Sequence, residues 1–574
     1  MSALILGIRV LLFALSVFGW LTLLHKKTDA AVEFLPAVVF CGQICILFLA
    51  GILNLLPLSV AVLFLGGLVL AVLSWKDRGT YRDFLCPGYV FFAAAGLYFL
   101  LLMKGQVFNS YDNFSHWALI VKQMLMTDRF PTFQDPIILF QAYPVGSSAF
   151  VYYVSKIIST VSEGCQMFAQ TLLTLSMILP LFSCVRRKKA EGTLLILGAS
   201  LFLLSSNTVP SELLVDALLP LTGGFGFLLL ERELEGEKQT VWLSVLPATA
   251  VIAIKNSGIF FWALMAARLG YHWLQNRKTA GREAVRSWAA LIAAPLAFLL
   301  LWSRHVAYVF SSASSTPHSM LFSAYLANIQ MKLADGSIAQ IVQAFLQKLL
   351  EGHKLLYLLA VILLAAIAAH IKKLPGRSFV RPAVFILAAF MLYQTGNLCM
   401  YLFSMPEGEA LVMAGYDRYY GSIVLFCYLY ALYYILEWME PQKHMTAIGL
   451  TLLLLCVFWK AGANPSILRR TPTNSVRAEL ERLMADYSIE HYLDYLVCIP
   501  QDDMGYTYHL TKYLLYTNTV DVHVVTDEAQ FAETVDIAID LGYRYLINLD
   551  PGNPAITEYC LESFGTSDQV IRLQ

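Results

Sequence analysis

Charge is what this chain has least of. Of its 574 residues only 14% are Asp, Glu, Lys or Arg, while 58% are apolar; a water-soluble domain carries roughly a quarter charged residues. A soluble globular chain is thereby excluded, and a polytopic membrane protein is expected. Acidic and basic residues balance at 40 each, so there is no basic surplus to meet nucleic acid. The ten cysteines form no CxxC pair, which removes the usual signal for a metal or redox site. Cys41, Cys45, Cys184, Cys399, Cys427 and Cys456 lie in apolar stretches and read as small hydrophobes. Cys498 and Cys560 fall in a polar tail, and sequence leaves open whether they meet. The first residues, Met1 to Leu24, lack a basic leader and a small-residue cleavage site, so they are expected to be a retained span.

What is present is a series of long apolar runs. A bilayer core of about 30 Å needs roughly 20 apolar residues per helix, and by that rule there are about fourteen candidates. They run near 4–24, 34–54, 57–74, 88–103, 165–184, 193–207, 216–230, 240–254, 256–273, 288–304, 354–370, 382–402, 419–437 and 445–461. Basic residues accumulate on cytoplasmic loops. The clusters Lys26-Lys27, Lys76/Arg78/Arg82, Arg186-Arg187-Lys188-Lys189, Arg277-Lys278/Arg282/Arg286 and Lys372-Lys373/Arg377/Arg381 all fall on one side of these spans. The same count puts 104–164, 208–215, 305–353, 403–418 and the tail outside.

The expected fold is thus an all-α polytopic membrane protein. It comprises a membrane domain over 1–462, with amphipathic outer loops at 104–164 and 305–353, and a small soluble α/β domain over 463–574. In the first loop, Phe114, Trp117, Ala118, Val121, Met124 and Leu125 recur at helical spacing, which predicts an interfacial helix over 113–126. Pro131, Pro136 and Pro144 break the chain before a second helix at 146–158. The second loop is helical from about Ser337 to Leu350. In the tail, helices at 476–484 and 529–541 alternate with strands at 495–499, 521–525 and 545–549, which suggests a partly parallel sheet. No Gly-rich phosphate loop accompanies it.

Within the first outer loop, Tyr111-Asp112-Asn113-Phe114-Ser115-His116-Trp117 forms a polar island. Asp112 and His116 are four apart and share a helix face, with Asn113 one step around. A carboxylate there can take a proton from an attacking hydroxyl, and the imidazole can orient that hydroxyl. The alternative is that Asp112 caps the following helix and His116 is an interfacial polar residue.

The stretch YDNFSHWALIVKQMLMTDRFPTF (111–133), followed by YPVGSSAFVYY (143–153), resembles the first long outer loop of membrane glycosyltransferases of the GT-C class, which use lipid-linked sugar donors. The resemblance implies many spans, amphipathic loop helices and a soluble carboxy-terminal domain, and it places Asp112 as catalytic base. Many members carry a second carboxylate directly after the first. Here Asn113 stands in that position, so no metal is indicated and Asp112 is left as the sole candidate base.

Against that background other residues gain meaning. Asp216 opens a span after the outer loop Asn207-Thr208-Val209-Pro210-Ser211-Glu212; it is either an acidic contact to acceptor hydroxyls or a helix-end carboxylate. Glu212 reads as solvated. Lys255, in Ala253-Ile254-Lys255-Asn256-Ser257-Gly258, is placed to bind the phosphate of a polyprenyl carrier or simply to snorkel to the headgroups. Asp417 and Arg418 close a late outer loop, where the guanidinium suits phosphate oxygens in two-point fashion; the pair can equally serve neighbours in the bundle. Tyr143 and Pro144 shape their loop, and Trp117 is a candidate to stack on a sugar face.

Together these residues make the expected protein a multi-pass cell-membrane glycosyltransferase for which no cofactor is indicated, with a divalent metal left open. Its partners would be a lipid-linked sugar donor, a glycan, lipid or protein acceptor, and the membrane lipid, with active site and tail outside the cell. The competing readings are a transporter or lipid-carrier flippase, and a non-catalytic assembly factor of the envelope.

Overall fold

The computed structural model describes residues 3–573 apart from 76–77, 186–189, 207–208, 311–321, 352, 372, 374–375, 439–446, 448, 452, 456 and 459–466. The basic cluster 186–189, Lys76, Lys372, Asn207, Thr208, Cys456 and part of the expected 445–461 span therefore lie outside the described residues. The chain divides into two units. The first comprises Met1–Gly105, Met124–Phe130 and Phe140–Arg470; the second comprises Gln106–Gln123, Pro131–Leu139 and Thr471–Gln574. The outer loop expected at 104–164 is thus shared between the two.

The first unit is helical. Among the described residues, seven helices are long and apolar enough to cross a membrane: Leu4–Lys27, Val32–Ile52, Leu56–Ser74, Glu163–Cys184, Arg282–Val309, Phe379–Phe403 and Tyr416–Trp438. An eighth span is formed if Ser337–Glu351 and Leu355–Ile371, bent by 48°, count as one. The expected runs at 34–54 and 57–74 are separate helices, each started by a proline in its first turn, where the missing N–H has no intrahelical partner to lose. The run at 240–273 likewise parts into Val245–Ile254 and Gly258–Asn276. Fourteen spans are not confirmed among the described residues, and two of the expected ones are short helices. Pro87–Leu102, with 16 residues, extends about 24 Å, and Val245–Ile254, with ten, about 15 Å, against a hydrocarbon core of about 30 Å.

Burial separates the inner helices from the outer ones. The apolar windows of Glu163–Cys184 and Tyr416–Trp438 are 94% and 89% buried, whereas that of Leu56–Ser74 is 22% buried. On the latter, Leu58, Leu65, Val69 and Val72 form an exposed stripe at helical spacing, which suits lipid rather than water. Its other side meets Ala3–Lys27 at a close crossing. A side chain on Gly19 would sit 1.9 Å from the Gly67 carbonyl oxygen, and one on Gly67 2.3 Å from that of Ser16. Only glycine allows that approach, and in lipid such small-residue contacts, with the hydrogen bond from Ser16 Oγ to Phe64 O at 2.8 Å, hold helices together.

The second unit carries the sheet. Strands β1 (Tyr495–Ile499), β2 (Val520–Val524), β3 (Tyr545–Asn548) and β4 (Val570–Arg572) lie in the order β2-β1-β3-β4. β1 is parallel to both β2 and β3, and β4 runs antiparallel to β3. The helices Ser475–Asp486 and Glu528–Asp540 match the expected ones closely; Tyr506–Leu515, Pro554–Phe564 and β4 went unread. One face of the sheet packs Leu496, Cys498 and Leu546 against Phe531, Val535, Ile556 and Cys560. Cys498 and Cys560 do meet in this core, as free thiols whose pKa values burial raises, that of Cys560 to about 11. They pack as small apolar side chains.

Candidate functional site

In the first unit, the break between Val245–Ile254 and Gly258–Asn276 gathers several of the expected residues. Lys255 leaves the helix with an extended backbone (φ −158°, ψ 148°), and Gly258 restarts it so close to the preceding helix that a side chain there would lie 1.9 Å from the Val251 oxygen. This tight turn aims Lys255 Nζ at Asp216 Oδ1, 3.2 Å away, with side-chain exposures of 18% and 13%. Asp216 precedes the Leu218–Glu235 helix. Its carbonyl accepts from Ser422 Oγ at 2.8 Å, and the same hydroxyl reaches the Arg418 carbonyl at 3.0 Å, so one side chain ties Asp216 to the first turns of Tyr416–Trp438.

Tyr143 joins this cluster through its backbone. The Ala142 carbonyl accepts from Asn256 Nδ2 at 3.2 Å and from Trp302 Nε1 at 3.0 Å, which fixes the loop beside the Lys255 turn. Burial raises the pKa of the Tyr143 phenol, against the pull of Lys255 and Arg418, so it remains a neutral donor. For Lys255 burial acts against the ammonium, but the negative charge of Asp216 outweighs it; its pKa lies above the ordinary lysine value and the group stays charged. The Lys255 ammonium also stands 5.7 Å from the centre of the Tyr419 ring. Phe345, on the Ser337–Glu351 helix, packs 5.4 Å from Tyr416 and covers the start of the Arg418 helix.

Lys255 therefore pairs with Asp216, and Tyr143 lies within electrostatic reach of Lys255, Arg418 and Asp216. Asp417 is exposed in the first turn of its helix, where a negative charge suits the positive helix end. Sequence reasoning missed Tyr419, although its place beside Arg418 in the Tyr416-Asp417-Arg418-Tyr419-Tyr420 motif was a usable signal.

Asp112, Asn113 and His116 belong to the second unit. Asn113–Trp117 forms a single π-helical turn, a local widening often found at functional sites. Asp112 has helical dihedrals (φ −63°, ψ −26°) and its side chain makes no capping hydrogen bond, so the capping alternative does not describe it. Asn113 and His116 are buried, and Asp112 is partly exposed. Phe114, Trp117, Val121 and Met124 are buried as well, which corrects the expectation of a helix lying on the lipid interface: its apolar side chains are enclosed by protein. Phe114 packs against Tyr506 and Tyr513, with ring centres 5.8 and 5.3 Å apart.

The segment before Asp112 is fastened to the tail by side chains that sequence reasoning also missed. Gln106 exchanges two hydrogen bonds with the Thr471 backbone, at 2.9 and 3.0 Å. Asn109 donates to the Pro472 carbonyl and accepts from Asn474 N, at 3.0 and 2.9 Å. The buried Arg477 donates to the Phe108 carbonyl at 2.6 Å and lies 5.8 Å from the Phe114 ring. Lys122 Nζ reaches the Tyr513 and Leu514 carbonyls at the end of the Tyr506–Leu515 helix, a site that favours a cation.

Among the described residues no group of His, Cys, Asp and Glu is arranged to hold a metal ion. No known protein-family profile matches the chain, and no curated protein matches it.

Proposed function

We propose that the chain is an integral-membrane glycosyltransferase of GT-C type that moves a sugar from a polyprenyl-phosphate donor to an envelope acceptor on the outer face. The observation that carries this reading is the largely buried Asp216–Lys255 pair, set beside Arg418 and the neutral phenol of Tyr143. Two cations and a hydroxyl donor in a poorly solvated setting suit a phosphate that gains charge as its bond to sugar C1 breaks. The acceptor oxygen attacks C1 from the face opposite the phosphate, its proton passes to a carboxylate base, and the polyprenyl phosphate leaves, with inversion at C1. The role of Asp112 is drawn from the 111–153 resemblance, and its partly exposed carboxylate, which does not cap the helix, is compatible with it.

One observation favours a transporter instead. Glu231 and Arg268 pair at 3.1 Å within helices of the first unit, and acid–base pairs of this kind line ion pathways in carriers. The decisive experiment uses purified protein in lipid nanodiscs and in vesicles with a panel of polyprenyl-phosphate sugars. Sugar transfer by wild type and its loss in Asp112→Asn, with donor binding intact, are expected. Movement of the lipid-linked sugar across the vesicle membrane without cleavage would overturn the enzyme in favour of the carrier.

A further inference from the structure

Three apolar helices of the first unit, Leu355–Ile371, Gly376–Phe403 and Tyr416–Trp438, pack against one another. Where they meet, Ala365, Pro382, Ala383 and Ala431 are too short to fill the space, and a crevice remains with Tyr434 and Trp438 in its wall. It follows its helix from Phe379 to Ile386, about 10 Å along the axis. Tyr434 spends its hydroxyl on the Glu231 carboxylate and offers the crevice only its ring. On the same two helices Leu359, Leu363, Val380 and Val384 are 45% to 61% exposed, as side chains facing lipid are. A hydrocarbon chain suits such a lining, and a polar solute does not.

One end of the crevice is positively charged. From 370 to 381 the sequence has Lys372, Lys373, Arg377 and Arg381 and no acidic residue. Lys373, in the turn that joins the first two helices, and Arg381, next to Pro382 in the chain, are both exposed. Neither pairs with a carboxylate among the described residues. The acids beside the crevice have other partners: Glu437, next to Trp438, accepts from Arg232 Nη2 at 2.7 Å, and Glu231 from Arg268 Nε at 3.1 Å. Trp438 ends the third helix, where an indole suits the headgroup level of a bilayer. Basic pockets between membrane helices at this level suit anionic lipid headgroups.

We propose that this crevice binds one anionic phospholipid, with an acyl chain along Ala365, Ala383 and Ala431 and the phosphate against Lys373 and Arg381. The site lies at the opposite end of the Tyr416–Trp438 helix from Arg418 and involves no sugar substrate, so it stands or falls apart from the transferase reading.

The test is native mass spectrometry of the full-length protein in detergent, titrated with phosphatidylglycerol or with phosphatidylcholine of the same chains. Wild type is expected to bind phosphatidylglycerol about tenfold more tightly. Arg381→Gln combined with Lys373→Gln brings the two lipids level and leaves phosphatidylcholine binding as it was. Ala383→Phe, which fills the crevice, weakens both, and Arg82→Gln, an exposed cation elsewhere, leaves the preference intact. Free glycerol 1-phosphate does not displace the lipid, because the chain supplies part of the binding. An unchanged melting temperature shows that the glutamine pair is folded, and that pair decides the matter even where Ala383→Phe fails to fold. Equal binding of the two lipids by wild type, or a preference untouched by the glutamine pair, overturns the proposal. So does an equal loss in Arg82→Gln, or displacement by glycerol 1-phosphate.

Discussion

The His509 imidazole sits behind Tyr111 and is 9% exposed. Burial, helped by the positive charge of Lys512, lowers its pKa from 6.5 to about 4. The fold therefore favours the neutral ring. Its contribution to stability is complete above pH 6.5 and is lost as pH falls from there towards 4, because the unfolded chain takes up the proton first. Urea unfolding followed by tail-domain fluorescence should show the midpoint of wild type dropping between pH 7 and 4.5, with a shallower drop in His509→Gln. Parallel profiles for the two proteins would contradict this assignment. At this scale Lys255, Asp216 and Arg418 each stand out in the sequence as charged residues beside apolar runs, and folding brings Lys255 against Asp216. The sequence was silent on His509, which becomes a neighbour of Tyr111 only through folding across some four hundred positions.

Arg477 is the clearest device at the scale of elements. The Ser475–Asp486 helix holds its guanidinium 3% exposed between the Phe108 carbonyl and Glu481, the latter at 2.8 Å. Removing a buried, hydrogen-bonded charge strands its partners. Arg477→Leu is expected to cost about 3 kcal/mol and to free the 106–112 segment, seen as new protease cleavage there at temperatures where wild type resists. Undiminished protection would show that Gln106 and Asn109 suffice alone. Periodicity located most of the tail, since helices 475–486 and 528–540 and the strands β1 to β3 carry clear apolar patterns. The Tyr506–Leu515 helix was missed because Tyr, Thr, His and Lys crowd its faces, and β4 because three residues are too few to show alternation. The π-helical turn at 113–117 was read as ordinary helix, since nothing local distinguishes the two.

For the molecule as a whole, composition announced the membrane, and the apolar runs announced helices at nearly the right places. It could not announce how many of them cross. Val245–Ile254 is as apolar as a span but too short, and Leu218–Glu235 ends in Glu231, Arg232, Glu233 and Glu235, which spoil its apolar length. The 104–164 loop was legible as helices and prolines, but its division between two units depends on amide and guanidinium contacts to residues near 471–477 that no local pattern encodes. The account's central claim is that Lys255 and Arg418 grip the phosphate of a lipid-linked sugar. Its most direct test is the affinity of nanodisc-embedded protein for a radiolabelled polyprenyl-phosphate sugar, compared with Arg418→Gln and with Lys255→Met carrying Asp216→Asn so that no buried charge is stranded. Loss of roughly 2–3 kcal/mol of binding in each is the result predicted; donor affinity equal to wild type in both would contradict it.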